Sequence, residues 1–151
     1  MEFRLRPTNN FVNEADWQEL HTLSLHWKSD MAFYSDELRF LRKLIDKYFV
    51  WLMKAESIKA TQDLLNRLTK TQSRAEDIVS TIDKHVKHIA KEIKYPLVHN
   101  DKAFRDEHAE LEELIAAFVK DFRVLKKKVF DLTEDVLVEE KIKHLAARYE
   151  D

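Results

Sequence analysis

Seven histidines and a scatter of carboxylates are the residues of this chain best suited to chemistry. His26 and Asp30, His85 and His88, His108 and Glu112 are three or four residues apart, so each pair shares one face of a helix. Imidazole nitrogen and carboxylate oxygen on facing helices are usual ligands of zinc, iron or manganese in bundle cores. His26, Asp30, His85, His88, His108 and Glu112 are therefore candidate metal ligands, with Glu37 and Glu92 as further carboxylates. Hydrogen bonds among imidazoles and carboxylates would explain the same set without an ion. His21 is a weaker candidate, since five residues of helix turn it well apart from His26, and His99 and His144 read as ordinary surface histidines.

Other chemistries are limited by composition. The 151 residues include no cysteine and no glycine. Disulfides, thiolate nucleophiles, sulfur-ligated metals, glycine-rich phosphate loops and the nucleophile elbow are thereby excluded, and no His-Glu-x-x-His pair occurs. Net charge is -2 with 36% charged residues, which offers no broad basic face for nucleic acid. The longest apolar run, residues 48–53, is too short to span a bilayer, and a cytoplasmic location is expected.

What must position the histidines is a set of long helices. Average usage would give about ten glycines in a chain of this length. A chain with none is built from elements that avoid positive-φ turns, and long helices meet that demand. Leu20, Trp27, Met31, Tyr34, Leu38, Leu41 and Ile45 form a heptad seam that predicts a first helix capped near Asn13. A second series, with His26, Asp30, Phe33, Glu37, Phe40 and Leu44, widens its apolar face. Leu64, Leu68, Ala75, Ile78, Ile82, His85 and Ile89 set a second seam in a different phase, which predicts a joint between residues 53 and 61 with Ser57 or Thr61 as cap. Ser73-Arg-Ala-Glu76 has the form of a capping box and offers a rival joint. Tyr95-Pro96 closes the second helix, and a third, capped by Asn100 or Asp101, carries the seam from His108 through Leu111, Ile115, Phe118, Phe122 and Leu125 to Val136.

The expected architecture is all-α: an up-down-up antiparallel bundle over 13–151, preceded by an extended arm over 1–12. The third helix outlasts the second near residue 138, so its last dozen or so residues overhang or fold back as a fourth helix. Antiparallel geometry brings His26 level with His85 and His108. Glu37 comes level with Arg74, where a cross-helix ion pair is expected. In outline the bundle resembles hemerythrin-like and ferritin-like proteins, which carry two-metal sites. His88-Ile-Ala-Lys-Glu92 has the form of the hemerythrin-like His-x-x-x-Glu element, whereas the Glu-x-x-His pairs of ferritin-like proteins are absent.

Three functional readings follow. The favoured one is a non-catalytic bundle acting through a homo-oligomer, such as a dimer, or a protein partner, because Ile142, Leu145, Ala146 and Tyr149 form an apolar stripe on the overhang. The alternative is a bundle that binds a divalent metal, Zn, Fe or Mn, at the histidine level. The third is a helper that binds acidic partners through Lys126, Lys127 and Lys128.

Overall fold

The computed structural model describes residues 16–54, 57–94 and 101–149. They form an all-α bundle of three long helices, α1 (Trp17–Lys47), α3 (Ile58–Lys94) and α4 (Asp101–Tyr149), with a single-turn helix α2 (Phe49–Leu52) after α1. No described residue has a positive φ, the backbone counterpart of a chain without glycine. The expected N-terminal arm lies outside the described residues.

Each boundary has a local cause. The Asp16 side chain accepts the Glu19 N–H at 2.8 Å, so it is Asp16 that caps α1; Asn13 lies outside the described residues. The joint falls where the seam changes phase: α2 ends at Leu52, and Ser57 stands immediately before α3. Thr61 is not a cap. It is buried in the first turn of α3, and its hydroxyl donates to the Leu52 carbonyl at 3.2 Å, which satisfies an orphan acceptor at the end of α2. Helix α3 runs unbroken through Ser73, which removes the rival joint. Helix α4 runs unbroken to Tyr149, so its C-terminal part continues the helix instead of folding back.

The described contacts divide the chain into two compact units. The first comprises Met1–Ser35 and Ser73–Lys120, the second Asp36–Gln72 and Asp121–Asp151. In the first unit, Lys28 meets Asp83 and Leu20 packs with Ile89, so numbers fall on α3 as they rise on α1. His88 meets Phe104 and Arg74 meets Phe118, which makes α3 and α4 antiparallel as well. Trp17 meets Phe104 and Tyr34 meets Phe118, so α1 and α4 run parallel. The core is the predicted seams: Leu20, Trp27, Met31, Ile82, Ile89, Ile115 and Phe118 are fully enclosed. Each such side chain contributes roughly 1.5–3 kcal/mol by leaving water.

The second unit repeats the pattern. Arg42 donates to Thr69 across α1 and α3, and Lys126 donates to Glu37 across α4 and α1. Leu38, Leu41, Ile45, Leu52, Leu68, Leu125 and Val129 fill its interior. Glu37 thus pairs with Lys126, at 3.1 Å to both carboxylate oxygens, and not with Arg74. Arg74 lies in the first unit with its guanidinium 5.8 Å from the Phe118 ring centre.

Candidate functional site

The first unit buries a row of polar side chains on its seams. Asp30 on α1, His85 and Glu92 on α3, and His108 and Glu112 on α4 are all enclosed. His85 and His108 occupy seam positions because helical period, not polarity, decides which residues face inward. His85 Nε2 lies 2.8 Å from His108 Nδ1, and His85 Nδ1 lies 2.9 Å from Glu107 Oε1. The same Glu107 oxygen is 3.2 Å from Nδ1 of His88, one turn further along α3.

These distances assign the protons. A carboxylate oxygen only accepts, so the His85 Nδ1–H donates to Glu107. In neutral His85 the Nε2 is then an acceptor, and the His108 Nδ1–H donates to it. The chain of bonds runs in one direction, from His108 through His85 to Glu107. His88 donates to Glu107 from the partly exposed side. Burial pushes the His85 pKa below its ordinary 6.5, and His88 adds to the lowering. The hydrogen bond and the charge of Glu107 act against it.

Trp27 completes the arrangement. Its ring stacks on His108, with centroids 4.4 Å apart and planes 27° from parallel. Beside this pair, Phe104 stands edge-on to both His88 and Trp17, and Arg105 lies over Trp17 at 4.7 Å. Glu92 is 2% exposed, and its Oε2 has no hydrogen-bond partner among the described residues.

Of the six predicted ligands, the structure joins His85 and His108 directly and links His88 to them through Glu107. Asp30 and Glu112 are buried in the same unit, each about one turn beyond Trp27 and His108. His26 does not take part. It is exposed and lines a shallow surface depression with Glu19, Thr22 and Leu23. Its height along α1 was anticipated, but the next residue, Trp27, holds the inward position. Glu107 was missed because it sits between the seam and the solvent face. Its only sequence signal is its place next to His108. Among the described residues, no group of three or more histidine, aspartate or glutamate side chains is arranged to hold a metal ion.

The second unit differs in what it leaves outside. Among the described residues, the exposed large apolar side chains include Phe40, Phe49, Val50 and Trp51 on α1 and α2, and Phe130, Leu137, Val138 and Leu145 on α4. Leu44, Tyr48, Phe130, Leu137 and Val138 line a groove between α1 and α4, with Thr133 and Glu134 at its side. The first unit exposes only Leu25 and Leu114 in this class among its described residues. The lysine run is divided: Lys126 is held by Glu37, Lys127 lies 3.9 Å from Asp131, and Lys128 borders a second groove of mixed charge with Arg67 and Asp135. No described helix is long and apolar enough to cross a membrane. No protein-family model, curated protein or solved structure matches the chain.

Proposed function

We propose that this chain is a non-catalytic helical-bundle module that works by self-association, with the second unit as its docking face. The observation that carries this reading is the set of exposed apolar side chains along one groove, Phe130, Leu137 and Val138, beside the half-buried Leu44 and Tyr48. Single exposed apolar residues are ordinary, but a contiguous set along a groove marks an interaction surface. The polar core of the first unit supports the same reading. Its two buried histidines are engaged with one another, and His85 with Glu107, as in a polar layer that braces a fold.

The test is the solution mass of the chain over a wide concentration range, by sedimentation or light scattering. A dimer or larger assembly is expected, reduced towards monomer by Leu137→Ser with Val138→Ser and unaffected by Leu25→Ser with Leu114→Ser. A monomer at every concentration removes the reading.

A second reading, a zinc, iron or manganese centre, has one observation in its favour: two imidazole nitrogens lie within 3.2 Å of one Glu107 oxygen. An ion there would replace the protons that His85 and His88 now donate, and the side chains would have to turn to converge on it. Metal analysis of protein purified without an affinity tag separates the two. Bound metal, with a melting temperature raised by adding Zn, Fe or Mn, favours the centre, and neither effect removes it.

A further inference from the structure

We infer that the occupant of the docking face is a second copy of this chain, paired through the C-terminal part of α4 in antiparallel orientation about a two-fold axis near residue 141. This rests on the self-association reading and names its geometry.

In the second unit, α3 supplies only Ile58–Gln72, whereas α4 continues to Tyr149. Beyond Val136, which is buried, the side chains of α4 that the structure describes are Leu137, Val138, Lys143, Leu145, Ala146 and Ala147, and these are exposed. In sequence, Val138, Ile142, Leu145 and Tyr149 keep the alternating spacing of four and three that forms a coiled-coil seam. A seam of that kind, on a helix whose described side chains beyond Val136 are exposed, is stabilised when another helix buries it.

Charge order selects the partner and its direction. From Asp131 to Glu140 the helix carries Asp131, Glu134, Asp135, Glu139 and Glu140 and no cation. From Lys141 to Tyr149 it carries Lys141, Lys143 and Arg148, with His144, and no carboxylate. Two copies laid parallel would set acid against acid and base against base. Laid antiparallel about residue 141, each acidic half faces the other copy's basic half, so a single sequence is its own electrostatic complement.

The absence of cysteine allows a direct test by single-site spin labelling on the full chain. Ala147→Cys and Lys128→Cys each place one label per copy. The antiparallel pair predicts axial separations between identical labels of about 20 Å at 147 and about 40 Å at 128, from the helical rise of about 1.5 Å per residue. Glu139→Lys with Glu140→Lys, and separately Lys141→Glu with Lys143→Glu, should each weaken the dimer at least tenfold, and mixing the two variants should restore it. A dimer whose label separation is the same at both sites overturns the antiparallel geometry and leaves self-association standing. So does a dimer indifferent to both charge variants. A wild-type monomer overturns both.

Discussion

The two units are built from the same three long helices and make opposite exceptions to the rule that apolar residues go inside. The first encloses Asp30, His85, Glu92, His108 and Glu112, and the second encloses only Thr61 and Thr133 among its described polar residues. The second in turn leaves Phe40, Val50, Phe130 and Val138 in water. Enclosed polar groups demand specific partners, because one left unbonded in the interior costs about 1–3 kcal/mol. They fix one arrangement of the helices. Exposed apolar groups demand no fixed partner within the chain and are relieved by any complementary surface. One unit is thus specified from within, whereas the other keeps apolar surface that a complementary partner would cover.

The largest expected effect lies in the first unit. Trp27→Ala should destabilise the fold by about 3–5 kcal/mol in chemical denaturation, since it opens a cavity and removes the ring stacked on His108. Next, His85→Leu should cost about 1–3 kcal/mol, because His108 loses its acceptor and Glu107 a donor. His85→Leu with His108→Leu should cost less than the two single changes combined, and a double-mutant cycle measures the difference. An additive result would mean that the two imidazoles do not act as a pair.

Acid should act on the first unit through the same residue. The pKa of His85 is lowered in the folded state, so the unfolded chain takes up a proton first as pH falls. Its stabilising contribution is complete above the ordinary value of 6.5 and declines as pH drops below it towards the folded value. Unfolding free energy measured from pH 7 downwards should therefore fall more steeply for the wild type than for His85→Gln. Equal slopes would mean that His85 is not a source of the acid sensitivity.

The smallest effects on stability belong to the second unit. Glu37→Gln should cost under about 1 kcal/mol, because the Lys126 pair is still open to water. Leu137→Ser with Val138→Ser should change the stability of the monomer by no more than about 0.5 kcal/mol while lowering its tendency to associate. A large loss of monomer stability from either would show that the second unit, too, is specified from within.

Much of this was legible in the chain. The seams named the buried residues of α1, α3 and α4, because a sustained heptad repeat leaves one inward face for each helix. The change of phase located the joint before α3 without glycine or proline to mark it. Harder to read were the partners of residues at the edge of a seam. Glu107 and Lys126 sit there, and whether such a side chain reaches inward depends on which neighbour is within reach.

The sequence by itself determined helix extent, inward face and height, since all three follow from periodicity and a fixed rise per residue. It set His85 level with His26 and His108. Only the tertiary structure decided which residues at the edges of those faces meet a partner, because one residue is a turn of about 100°. That single step turns His26 to solvent and brings Trp27 onto His108, while Glu107 closes the bond network and Lys126 holds Glu37. The physical reason is that a side chain's partner depends on the angular setting of several helices at once, and no one helix's repeat contains it.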